Sequence, residues 1–156
     1  NIHHFFRKNL KYFLKEVHMK KVIFTLLILP YLTFGIVWYH FWQGIHVAKT
    51  KNKALMVYFY QNNCKDCRKM TKTTLASPIV LRYLSKHFIV SDVNVSTLSG
   101  SRIGAQFLAI NIPTVEFINP HNNDIIFREI DWEDPAKFLK TLQHACKEAK
   151  KQGLNC

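Results

Sequence analysis

Acidic residues are scarce in this chain. Ten Asp and Glu stand against 22 Lys and Arg in 156 residues, for a formal charge of +12. Such an excess invites a nucleic-acid reading, but no basic stripe interleaved with aromatics and no nucleic-acid motif is present. Six of the basic residues precede residue 22, and from Lys49 onward 16 basic and 9 acidic residues are spread without a dense cluster. A solvated basic surface, favourable near anionic lipid, is the reading this supports. Internal repeats and low-complexity stretches are also lacking. Cysteine is sparse: there are four, and only one pair has the C-x-x-C spacing. A closed structural zinc site needs four ligands, usually from two such pairs or from Cys and His at short spacing. Cys146 and Cys156 are ten apart with only His144 close by in sequence. The histidines, His3, His4, His40 and His46 among them, show no ligand spacing and read as surface or interface residues. No metal and no organic cofactor is expected.

Against this background one long apolar run stands out. Val22 to Trp42, "VIFTLLILPYLTFGIVWYHFW", carries no formal charge and meets the roughly 20 residues needed to cross a bilayer. Arg7, Lys8, Lys11, Lys15, Lys20 and Lys21 precede it, and Trp38, Tyr39, Phe41 and Trp42 crowd its far end. A basic flank inside and an aromatic belt at the opposite interface predict an anchor with the rest of the chain outside the cytoplasm. The alternative is a cleaved export signal, since "MKKVIFTLLIL" from Met19 has that form and residues 1–18 would then be an upstream extension. No good small-x-small cleavage site follows, because "HVA" at 46–48 contains a histidine. Either reading places the domain in a bacterial cell envelope, anchored at the inner membrane and facing the periplasm, or soluble in the periplasm after cleavage. The expected organisation is a basic segment 1–21, an anchor or signal 22–42, a linker 43–53, a domain 54–151 and a tail 152–156. About 110 residues remain for globular structure, enough for one domain.

Within that domain, "ALMVYFY" at 54–60 reads as a buried central strand. A helix is predicted from Cys64 to about Thr74, and a second follows Ser77 as N-cap with Pro78 at its first position. "FIVSDVNV" at 88–95 is the next strand, and residues 99–109 read weakly as helix. "NIPTVEFINP" gives a strand introduced by Pro113, with "IIFREI" as its hairpin partner. Asp134 and Pro135 open a last helix through about Lys151. The predicted class is α/β: a βαβ unit followed by a β-hairpin and a C-terminal helix around a mixed sheet.

The cysteine pair in "YFYQNNCKDCRKM", 58–70, falls where the first strand ends and the helix begins. A thiol attacks only as thiolate, and a helix N-terminus supplies unpaired N–H groups and partial positive charge to stabilise one. Cys64 is the expected nucleophile, and Cys67, one turn on, the buried resolving thiol. Lys65 favours the Cys64 thiolate and Asp66 opposes it. Pro113, preceded by Ile112, removes a backbone donor and, if cis, makes a tight bend. An even count leaves Cys146 and Cys156 as a candidate structural disulfide at the end of the last helix.

Together "VYFYQNNCKDCRKM", "LASPIVLRYLSKHFIVSDVNVS" and "NIPTVEFINP" resemble, in order and spacing, the thioredoxin superfamily. Within it they are most similar to the C-terminal thioredoxin-like domain of DsbD-type thiol:disulfide interchange proteins, over roughly residues 50–145. The resemblance implies a thioredoxin fold, a redox-active Cys64–Cys67 disulfide and a cis-proline at Pro113. It also implies substrate docking along Ile112, Pro113 and Thr114, and client proteins with disulfides or thiols. It implies reductase chemistry, because Ile rather than Thr precedes the proline. Three positions depart from the pattern: Asn63 replaces an aromatic, Tyr58 a buried aspartate, and Thr71 a glutamate. Asp92, in the next strand, is the candidate replacement proton acceptor; the alternative for it is a solvent-facing strand residue. The eight-transmembrane portion of full DsbD-type proteins has no counterpart here, so a separate membrane electron donor is expected. The competing functional class is a non-catalytic client-binding or copper-carrier module using the same pair.

Overall fold

The computed structural model describes residues 35–156, and one compact unit runs from Ile36 to Cys156. Strand β2, Leu55–Tyr60, lies at the centre of a five-stranded sheet ordered β1-β3-β2-β4-β5. β1 (Trp38–Tyr39) and β2 both run parallel to β3 (Ile89–Asn94). β4 (Thr114–Ile118) and β5 (Ile125–Ile130) continue antiparallel from β2 as a hairpin. The near-continuous apolar sequence of β2 is explained by burial on both faces. Met56 and Tyr58 point to one core with Val90, Val115 and Phe117, while Leu55, Val57 and Phe59 point to another with Val93 and Ile118.

The first core is closed by three helical segments. Helix α2 (Lys65–Lys69) runs on into a π-helical turn, Met70–Thr74, and contributes Cys67 and Met70. α3 (Pro78–His87) contributes Val80 and Leu84, and α5 (Pro135–Lys151) contributes Phe138, Leu142, Ala145 and Ala149. Pro78 and Pro135 both sit at helix starts, where a missing N–H costs nothing. The Asp134 side chain caps α5 by accepting from the N–H groups of Ala136 and Lys137. Ser77 occupies the N-cap position of α3 but makes no side-chain capping bond. The second core lies under α1 (Phe41–Lys51) and α4 (Leu98–Gln106).

Three expected boundaries change. The segment read as a linker, 43–53, is mostly the helix α1. Its inward stripe is Phe41, Gly44 and Ala48, at helical spacing; a Cβ at Gly44 would come 3.0 Å from Leu55 Cδ1, so a small residue lets α1 lie close on the sheet. The aromatic end of the apolar run belongs to the domain as well. Trp38 and Tyr39 pair with Val90 and Ser91 in β1, and Phe41 is buried against Phe107 at a ring separation of 5.3 Å. Of that aromatic group only Trp42 is strongly exposed, at 61 %. The remainder of the expected anchor, residues 22–34, lies outside the described residues, as does the basic segment 1–21. Among the described residues no helix is long and apolar enough to cross a membrane. The tail 152–156 is likewise part of the fold: Leu154 is buried, Asn155 N–H donates to the Asn52 carbonyl at 2.6 Å, and Cys156 is bonded to Cys146.

Candidate active site

The chain leaves β2 at Tyr60, turns through Asn63 and enters α2 at Cys64. Asn63 has φ of 61°, a left-handed conformation that asparagine tolerates better than most side chains. This turn sets Cys64 at the N-cap, in extended conformation, with its sulfur accepting the Cys67 N–H at 3.0 Å. The sulfur thus takes the place of a capping oxygen and meets an N–H that the helix itself leaves unpaired. Cys64 and Cys67 are joined as a disulfide. Cys64 is 9 % exposed and Cys67 3 %, so the first residue of the pair is the less buried one. Lys65 and Asp66 flank it, both exposed.

Two of the departures from the family pattern meet beneath this helix. The Tyr58 hydroxyl donates to the Cys67 carbonyl at 3.0 Å and lies 3.5 Å from Thr71 Oγ1. Burial pushes the Tyr58 phenol above its ordinary value, so the hydroxyl stays a donor across the physiological range. Tyrosine at this position therefore ties the cysteine helix to the central strand. That role was not read from the sequence, though a polar tip within an apolar strand was its signal.

Asp92 stands directly across from Tyr58 in the β2–β3 register and is exposed. It lines a pocket of about 400 Å³ with Trp38, Tyr58, Tyr60, Thr71 and Leu75. Its charge, after burial, helps to raise the Tyr60 phenol above its ordinary value. The Tyr58 hydroxyl reaches the cysteine helix directly, and exposed Asp92 lies across the strand from it in the same pocket. A second pocket, about 310 Å³, is lined by Tyr60, Asn62, Asn63, Cys67, Arg68 and Thr71 and opens beside the pair.

The Ile112–Pro113 peptide is cis. Phe59 pairs with Thr114, so Pro113 falls one step on, opposite Tyr60, at the strand end from which the Cys64 turn departs. The β4 ladder begins at Thr114, leaving half-buried Ile112 outside it. Thr114 itself is 1 % exposed, and its hydroxyl donates to the Asn111 carbonyl. The Thr114 hydroxyl is thus engaged by the loop that leads into β4. Behind it on β4, Glu116 is fully buried and paired with Arg128 of β5 at 2.7 Å, and Arg128 also donates to the Phe107 carbonyl. Burial pushes the Glu116 carboxyl above its ordinary value while Arg128 holds it down. This pair was missed, although a lone carboxylate in "TVEFI" facing an arginine in "IIFREI" marks it.

The thioredoxin-like family matches residues 37–120. No match is found among curated proteins. Among solved structures, a thioredoxin from Thermus thermophilus is 28 % identical, with a TM-score of 0.69, covering 76 % of this chain and 92 % of that one. A DsbH oxidoreductase is 17 % identical, with a TM-score of 0.65, over 72 % and 85 % of the two chains. The oxidised DsbD C-terminal domain of Neisseria meningitidis is 16 % identical, with a TM-score of 0.58, over 70 % and 99 %. The chain belongs to the thioredoxin-like family. With a C-x-x-C disulfide capping the helix that follows the central strand, it is a thiol:disulfide oxidoreductase.

Proposed function

We propose that the protein is an exported, membrane-anchored reductase of disulfides in client proteins. The observation that carries the reaction is the Cys64 sulfur at the start of α2, accepting an N–H and carried by a residue less buried than Cys67. In the dithiol form, the Cys64 thiolate attacks one sulfur of a client disulfide. A Cys64–client disulfide forms and the client's other sulfur leaves as thiolate. Cys67, deprotonated, then attacks Cys64, releasing the second client thiol and closing Cys64–Cys67. Two electrons pass to the client, and a separate membrane dithiol protein returns the pair to its reduced form. The cis Ile112–Pro113 turn, with Ile112 outside the β4 ladder, is where an extended client segment adds its backbone.

Direction follows from the isoleucine before the proline and from the blocks that resemble reductants. Export and anchoring are supported by the apolar run with its basic flank. The deciding experiment is the reduction potential of Cys64–Cys67, measured by equilibration with dithiothreitol or glutathione. A reductase sits near the thioredoxin value of about −270 mV; a value near the about −120 mV of DsbA overturns the direction.

A further inference from the structure

A second thiol cluster lies away from this pair. Cys146, buried on α5, is joined to half-buried Cys156 in the tail, and His87, the last residue of α3, brings Nδ1 to 4.0 Å from the Cys146 sulfur. The ring of His87 is stacked on Tyr83, centroids 4.3 Å apart and planes 28° off parallel, which fixes its plane. The three ligand atoms lie within 4.8 Å of one another. Only His144 was near these cysteines in the sequence, yet it packs edge-on against Phe127, and the histidine that arrives is 59 residues upstream.

We infer that reduction of Cys146–Cys156 turns this cluster into a three-donor site for Cu(I), held by the two thiolates and His87 Nδ1. Donors around one ion at about 2.0–2.3 Å stand about 3.5–4 Å apart. The His87–Cys146 spacing already meets that, and opening the disulfide supplies the remaining separation. Cys146 is buried within α5, while Cys156 is half-buried and outside any helix, so the Cys156 sulfur is the one with room to move. A dithiol supplies the two electrons and two protons that open the bond, becoming a disulfide itself; the metal then displaces the two thiol protons.

Ligand type and charge favour copper over zinc. Paired thiolates select soft ions, and three protein donors leave zinc short of its closed four-ligand shell. Lys53, Lys86 and Lys150 set positive charge around His87. Two thiolates and a neutral imidazole carry a net −1 with Cu(I) and zero with Zn(II), so the lysines stabilise the copper complex more.

The test uses the full chain with Cys64→Ser and Cys67→Ser, to remove the first pair. After reduction and anaerobic removal of the reductant, Cu(I) is titrated in competition with bicinchoninate. One equivalent per chain is expected, lost on adding Cys146→Ser and Cys156→Ser, and weakened at least about tenfold by His87→Gln. The same chain with its disulfide closed, which tests the site without any change to its fold, is expected to bind none. Equal Cu(I) binding by the closed form or by the Cys146→Ser, Cys156→Ser form overturns the site. Unchanged affinity in His87→Gln overturns the ligand set, and Zn(II) held as tightly as Cu(I) overturns the choice of ion.

Discussion

Arg128→Ala isolates the one fully buried carboxylate of the hairpin that carries the proline turn. Glu116 is fully buried, and Arg128, 29 % exposed at its side chain, is its partner at 2.7 Å. Removing one member of a buried pair costs about 3–5 kcal/mol, and solvent access to Arg128 puts this one near about 3 kcal/mol at neutral pH. The size should depend on pH. The folded Glu116 carboxyl is raised above its ordinary value of 4.5, so the folded chain holds that proton more tightly than the unfolded chain. Its contribution is therefore greatest below the ordinary value and is lost as pH rises through the folded one. Without Arg128 the folded value climbs further, and the loss extends toward neutral pH. At pH 5 the deficit should be smaller than at pH 7.5, and the Arg128 bond to the Phe107 carbonyl, about 1 kcal/mol, is lost at either pH. Guanidinium unfolding of oxidised wild type and variant at pH 5 and pH 7.5 measures both deficits. In thermal terms the neutral-pH deficit is a fall in Tm of about 12 °C, at about 4 °C per kcal/mol for a domain of this size. Equal deficits at the two pH values, or less than about 1 kcal/mol at pH 7.5, refute the reasoning.

Tyr58→Phe removes the hydroxyl that holds the Cys67 carbonyl and should lower stability by about 1 kcal/mol without unfolding the domain, measured by denaturant unfolding. Serine at both Cys146 and Cys156 releases a closed loop with a sequence separation of 10 and should cost about 2–3 kcal/mol on the chain-entropy account. That loss should vanish when wild type and variant are compared fully reduced, since the reference chain is then equally unconstrained.

Much of the fold was legible because its signals are local. The apolar run 54–60, the Pro78 and Pro135 helix starts and the polar turn before Ile125 each fall at an element of the described sheet or helices. The N-terminal boundary was not, because Trp38, Tyr39, Phe41 and Ala48 are as apolar in a strand and a packed helix as in an anchor. Hydropathy does not distinguish burial in a core from burial in lipid. Cys64 and Cys67 stood out through their spacing together with their place between a strand and a helix and the Ile112–Pro113 strand start further on. The Tyr58–Thr71 contact, the Glu116–Arg128 pair and the approach of His87 to Cys146 join residues 12 to 59 positions apart, and only the sheet register and helix packing bring them together.

The central claim is the division of labour between the two active-site sulfurs, with Cys64 attacking and Cys67 resolving. Its most direct measurement is trapping: Cys67→Ser and Cys64→Ser forms are each mixed with a disulfide-bonded protein substrate and resolved on non-reducing gels. Alkylation rates of the remaining active-site thiol are followed across pH in parallel. With Cys67→Ser, a Cys64–substrate disulfide should accumulate, and Cys64 should alkylate rapidly near neutral pH because the α2 N-terminus stabilises its thiolate. With Cys64→Ser, Cys67, 3 % exposed in the oxidised wild-type structure, should trap little and alkylate slowly. Faster alkylation and trapping at Cys67 would contradict the assignment, and no trapping by either form would contradict exchange at this pair.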